Sequence, residues 1–118
     1  EKLTQIIMWG DGKVKREFTY VIDFAKWIGV SISNLQNLPS ILNVGCGIDF
    51  TVREFYEIVM SELGFEGKLI ADLSKPNGNL RKLMDSSIAR SLGWNPSTTI
   101  NNGIIETHRW LLENRNNA

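Results

Sequence analysis

The sequence predicts a small α/β domain of α+β character, with a short mixed sheet and about four helices. Apolar runs of strand length alternate along the chain with segments whose apolar residues recur at helical spacing. No internal repeat, low-complexity stretch or linker divides the 118 residues, a length that suits one domain.

The first element is the short apolar run Ile6 to Trp9, read as a strand. Gly10 and Gly12 flank Asp11 and predict a tight turn. "REFTYVIDF" follows as a second extended run, with Phe18, Tyr20 and Ile22 alternating. Asp23 is placed to cap a helix running to about Leu35, with Phe24, Trp27, Ile28 and Ile32 at helical spacing. "ILNVGCG" reads as a buried strand ending in a glycine turn.

Thr51 and Glu54 then form a Thr-x-x-Glu capping box. The helix it opens carries Val52, Phe55, Tyr56, Val59 and Leu63 on one face, and Gly64 ends it. "KLIADL" is a further strand. The loop "SKPNGNLRKLMD" follows, opening as a turn and delivering Arg81 and Lys82 side by side. Asp85 or Ser86 starts a short helix ending near Gly93. Thr98 or Thr99 caps a last helix to about Asn114, with Ile100, Ile104, His108, Leu111 and Leu112 on one face.

Bulk properties exclude several classes. Hydrophobic residues make up 42%, an ordinary globular share, so disorder is not expected. A chain of this size buries roughly two-thirds of its unfolded surface, so an independent core is expected. Thirteen basic residues balance thirteen acidic ones, which argues against nucleic acid and anionic membranes as partners. Any anion site must be local. Cys46 is the one cysteine, so no intrachain disulfide can form. No apolar run approaches the roughly 20 residues of a membrane span. The chain opens on Glu1, not Met, and without a signal-peptide pattern, as a trimmed chain or a piece of a longer protein would. These features together predict a cytoplasmic setting.

Absences narrow the chemistry. There is no Gly-x-Gly-x-x-Gly fingerprint, and "GDGK" lacks the spacing and the hydroxyl residue of a phosphate loop. No Cys/His cluster has metal-ligand spacing. His108, on the apolar side of its helix, reads as a packing residue. Cys46 would need His108 as its base to act as a nucleophile, and nothing in the sequence brings them together. Glu54 reads as a cap. Trp9 precedes the glycine turn, and Arg16 follows seven residues later, where the turn can fold it back. An indole and a guanidinium suit a flat base beside a phosphate, although tryptophan is more often core. The Arg81-Lys82 loop is, on its own, an ordinary solvated turn.

The stretches "WGDGKVKREFTYVIDFA", "LNVGCGIDFTVREF", "GFEGKLIADLSKPNGNLRKLMD", "LGWNPS" and "GIIETHRWLLEN" cover nearly the whole chain. In order and spacing they resemble the C-terminal part of the GDP-L-fucose synthase family. Its members are NADPH-dependent epimerase/reductases of the extended short-chain dehydrogenase/reductase superfamily. The resemblance implies that Trp9, Arg16, Asn77 and Lys82 contact a GDP-sugar, the loop closing over it opposite Trp9 and Arg16. Asn77 stands where the family has Asp, and Leu80 where it has Pro. The first change removes a charge from the expected contact, and the second loosens the loop.

The resemblance also implies what lies elsewhere. The family's glycine-rich NADP site, its Tyr-x-x-x-Lys pair and its catalytic Cys and His precede the matching region, and Cys46 and His108 do not align with them. Residues 1–118 are therefore expected to be a single substrate-binding domain lacking the N-terminal Rossmann domain, with no catalytic, cofactor or metal residues of its own. The parent enzyme would convert GDP-4-keto-6-deoxy-mannose to GDP-L-fucose with NADPH. This part would bind GDP-sugar and be inactive alone, partnered by the missing Rossmann domain or by a second copy. The alternatives are a free-standing, non-catalytic binding or interaction module derived from such an enzyme, and a relative specific for another sugar.

Overall fold

The computed structural model describes residues 3–115. Among them are five strands, β1 (Gln5–Trp9), β2 (Lys15–Glu17), β3 (Asp49–Thr51), β4 (Lys68–Asp72) and β5 (Arg81–Lys82). Four helices accompany them: α1 (Val21–Ile32), α2 (Val52–Glu62), α3 (Ser87–Ser91) and α4 (Ile100–Asn114). The class is the expected α/β. The strands form two small sheets rather than one. β1 and β4 pair in parallel, Gln5 opposite Lys68 through Trp9 opposite Asp72. β2 lies between β3, antiparallel to it, and β5, parallel to it.

A short polar loop joins these parts. The Glu17 carboxylate accepts from Gly47 N–H at 2.5 Å and from Met84 N–H at 3.2 Å. Around it, Trp94 Nε1–H donates to Gly45 O at 2.7 Å, Arg90 Nη2 to Cys46 O at 2.6 Å, and Cys46 N–H to Thr19 Oγ1 at 3.2 Å. The Cys46 thiol lies 3.3 Å from the carbonyls of Phe18 and Ile48. A Cβ at position 45 would run into the Glu17 carboxylate and push that acceptor aside. Trp94 lies in the buried cluster with Trp27 and Ala89, against which Leu42, Val44 and Leu92 pack. Met8 and Val14 are buried as well.

The capping box forms as expected. Thr51 Oγ1 accepts from Glu54 N–H at 3.1 Å, and Glu54 Oε2 accepts from Thr51 N–H at 2.7 Å. Thr99, not Thr98, caps α4, its hydroxyl accepting from Asn102 N–H. Ser86 occupies the cap position of α3, while Asp85 Oδ1 accepts from Ser87 N–H at 2.9 Å. α2 and α4 face each other across an apolar cavity of about 550 Å³, lined by Phe55, Val59, Leu63, Ile104, His108 and Leu111 among others. Phe18 stacks on Phe55 with ring centroids 3.7 Å apart. Leu112, expected on the same face, is 56% exposed.

Four expectations fail. The second extended run stops at Glu17, and α1 begins at Val21, so Tyr20 and Ile22 do not continue a strand. Tyr20 occupies the cap position of α1, without a side-chain bond. Asp23 sits inside the first turn and accepts from the N–H groups of Ser97 and Thr98 at 3.2 and 2.9 Å. The helix ends at Ile32, and a separate 3-10 turn spans Leu35–Asn37. "ILNVGCG" forms no strand, because no described segment pairs with it.

The fold leaves much surface uncovered. A folded monomer of this mass is expected to expose about 6,500 Å², whereas this chain exposes 8719 Å². Its radius of gyration is 17.1 Å, against about 13.5 Å for a compact chain of this length. The independent core expected from length is small.

Two outcomes follow for stability. Glu17→Gln loses one charge-assisted acceptor, and the midpoint of urea unfolding should drop by an equivalent of about 1–2 kcal/mol. Burial pushes the Asp23 carboxyl up, but the hydrogen bonds from Thr98 and Ser97 and the nearby Lys26 outweigh it and hold the group below its ordinary value. Its contribution is therefore present above the ordinary carboxylate range and is lost as pH falls through the depressed folded value. Asp23→Asn should show a smaller stability difference between about pH 7 and pH 3 than the unaltered chain. Urea midpoints at the two pH values check this.

Candidate functional site

β1 ends at Trp9, a residue 68% exposed. Gly10 turns the chain at φ 74°, its N–H donating to Asp72 O at 2.9 Å. The turn is then clasped from outside: Asp11 N–H donates to Asn77 Oδ1 at 2.9 Å. A side chain at position 10 would collide with that amide oxygen, so the close approach needs glycine. Gly12 O accepts from Arg53 N–H at 3.0 Å, which fixes the turn to the start of α2.

The loop carrying Asn77 begins with an Asx turn, Asp72 Oδ1 accepting from Ser74 N–H and Oγ–H. Lys75 places its ammonium 5.4 Å from the Trp9 ring centroid, within cation–π range. Further on, Asn79 O accepts from Arg16 Nη1 at 2.9 Å, and Leu80 O from Lys15 N–H at 2.8 Å. The loop thus spans from the turn after Trp9 to the guanidinium of Arg16.

Strand pairing sorts the remaining cations. Arg16 stands opposite Lys82 in the β2–β5 register, so the two project from one face of the sheet. Arg81 stands opposite Lys15, on the other face, and its guanidinium meets the Asp49 carboxylate at 2.5 and 3.3 Å. The hydrogen bond from Arg81 holds the Asp49 carboxyl below the usual carboxylate range. The side-by-side pair therefore divides: Arg81 ties β5 to β3, and Lys82 is an exposed cation beside Arg16.

All four sequence-predicted residues, Trp9, Arg16, Asn77 and Lys82, lie on or beside this one loop. Trp9 and Arg16 are linked through it rather than folded directly together. Asn77 commits its oxygen to Asp11, leaving its Nδ2 donors for other contacts. Lys75 escaped the sequence reading, since nothing local marks a lysine whose neighbour comes from β1. Cys46 is held in the loop around Glu17, and His108 lines the apolar cavity. Among the described residues no group of three or more His, Cys, Asp and Glu is placed to hold a metal ion.

The fold has known counterparts. Residues 1–45 match the model of the NAD dependent epimerase/dehydratase family. The chain is 37% identical over 114 residues to GDP-L-colitose synthase of Yersinia pseudotuberculosis, covering 97% of this chain and 37% of that protein. Nearly the whole chain thus aligns with one part of a larger protein. GDP-L-fucose synthase of Escherichia coli is 35% identical over 118 aligned positions, covering 93% of this chain and 37% of the enzyme. Among solved structures, GDP-mannoheptose C4 reductase from Campylobacter jejuni with NADP bound superposes with a TM-score of 0.79 at 31% identity, over 92% of this chain and 35% of that one. The chain spans little more than a third of the length of the curated relatives it matches.

The clasp gives a direct test. Asn77→Ala should speed hydrogen exchange at the Asp11 amide about tenfold, the equivalent of a lost bond worth about 1.4 kcal/mol. Asn77→Asp keeps the acceptor and should leave that amide protected.

Proposed function

We propose that this chain is the nucleotide-sugar-binding unit of a longer GDP-sugar epimerase or reductase, and that it binds GDP-sugar without catalysing its conversion. The observation that carries the reading is the loop 73–80. It joins an exposed indole at Trp9 to a pair of cations, Arg16 and Lys82, on one sheet face. A guanine or ribose ring fits the indole face, and a diphosphate fits the cations. The relatives' GDP-sugar names agree with that chemistry.

Each residue has a role in this reading. Trp9 stacks on the flat group. Lys82 and the part of the Arg16 guanidinium not bound to Asn79 O neutralise phosphate oxygens. Asn77 holds the loop against the glycine turn and offers its amide hydrogens to the ligand. Lys75 shields the indole until a ligand ring replaces it.

NADPH belongs to the implied parent. Gly10 and Gly12 sit in a turn between two strands, not between a strand and a helix, so these residues do not fit a dinucleotide pyrophosphate. The hydride donor and the acid–base groups are assigned to the rest of the parent, the Rossmann half. A cytoplasmic setting is part of the same reading. No helix among the described residues is long and apolar enough to cross a membrane.

A second reading, a free-standing interaction module that self-associates, draws on the large exposed apolar surface. Sedimentation separates the two: a concentration-dependent dimer favours the module.

Titration with GDP and then UDP, followed by amide shifts, is the direct experiment. GDP should perturb Trp9, Arg16, Asn77 and Lys82 in preference to UDP, and Trp9→Ala should weaken binding about tenfold. No shifts at millimolar GDP would overturn the reading. Turnover of NADPH by the chain alone would overturn its non-catalytic part.

A further inference from the structure

The register between β2 and β5 pairs cations only. Lys15 stands opposite Arg81, and Arg16 opposite Lys82. Like charges directly opposite each other weaken a strand pair. β5 lies at the edge of its sheet, with β2 as its neighbour. Its pairing therefore works against two repulsions, one on each face of the sheet.

The face carrying Arg81 has a counter-ion. Lys15 also pairs with Thr51, and Asp49 lies two residues before Thr51 in β3, so Lys15, Arg81 and Asp49 share this face. The Arg81 guanidinium reaches past β2 to the Asp49 carboxylate, Nε at 2.5 Å from Oδ2 and Nη2 at 3.3 Å from Oδ1. The Asp49 side chain is 8% exposed, so the pair is only weakly screened. Lys15 acts on the same carboxylate. The opposite face is different. Among the described residues no carboxylate pairs with Arg16 or Lys82. Arg16 donates to the carbonyls of Lys15 and Asn79, which leave its charge unbalanced.

We infer that Asp49 is a positioning residue for the anion site. It fastens β5 through Arg81 and so holds Lys82 beside Arg16 before a ligand arrives. A diphosphate on the Arg16 and Lys82 face then relieves the second repulsion and completes the pairing. Strand pairing and anion binding form one coupled equilibrium. The inference rests on reading Arg16 and Lys82 as diphosphate contacts.

Two amides report on β5. Lys15 N–H donates to Leu80 O at 2.8 Å, and Met84 N–H to the Glu17 carboxylate at 3.2 Å. In the unaltered chain, inorganic pyrophosphate and GDP should each slow hydrogen exchange at both by at least about threefold, and guanosine should not. Asp49→Asn should speed exchange at both amides. It should weaken GDP about tenfold and guanosine by less than about twofold. Asp49→Glu keeps the charge and should restore most of the GDP affinity. The Gly103 amide, bonded to Thr99 O at the start of α4, is the control and should not change.

Pyrophosphate that shifts Lys82 without slowing the two amides overturns the inference. So does Asp49→Asn with unchanged GDP affinity, which leaves the nucleotide reading standing. GDP and guanosine weakened alike would make Asp49 a merely structural residue and also overturns it. If the Gly103 amide opens as well, Asp49→Asn has unfolded, and the pyrophosphate result on the unaltered chain decides. Protection by pyrophosphate with no binding of GDP keeps the coupling and overturns the nucleotide reading. Failure of both ligands to bind overturns both.

Discussion

Glu17 stands at the end of the central strand β2, and its two carboxylate oxygens reach two separate loops. One takes the N–H of Gly47, the other the N–H of Met84. The loop around Gly47 is in turn held by Trp94, Arg90 and Thr19. These contacts join the β3–β2–β5 sheet to the helical end of the molecule, where the Trp27, Ala89 and Trp94 cluster lies. With so few buried apolar side chains, polar contacts of this kind carry much of the tertiary order. The placement of Lys82 depends on them, because Met84 lies only two residues beyond it.

The same polar logic builds the candidate site. Asn77 and Arg16 are the residues that hold the loop, through Asp11 N–H and Asn79 O. They position Trp9 and Lys82, which are the more open groups. A change at Asn77 acts on loop geometry as well as on any ligand it touches. The Asn found there keeps the geometric part, since it still offers an oxygen to Asp11.

Local signals were readable in the sequence where the structure satisfies them locally. The Thr51–Glu54 box needs four residues in a row, and it forms. The glycine turn after Trp9 and the strand "KLIAD" are of the same kind. Asp23 shows the limit. Its spacing suits a cap, but its partners Ser97 and Thr98 come from far along the chain, and no window includes both. "ILNV" fails for a different reason. Its pattern is that of a strand, and a strand exists only where another pairs with it. Trp9, Arg16 and Lys82 were noticeable by residue type, but Asn77 and the joint placement of the four candidates came from resemblance. The partners that lock them, the Asp11 N–H, the Asn79 carbonyl and the Lys75 ammonium, were set by three-dimensional contact alone.

The parallel pairing of β1 with β4 joins Gln5 to Lys68. That pairing has a consequence in time. A ribosome adds about 5–20 residues per second, so the segment bearing Trp9 waits about 3–13 seconds before the strand that completes it has been made. During that interval an apolar strand with two free edges, followed by an apolar helix, is without its native neighbours. Expression at lower temperature slows synthesis and lengthens that wait. Chaperone supply during translation, more than the final stability of the sheet, would then govern how much of the chain reaches its folded form.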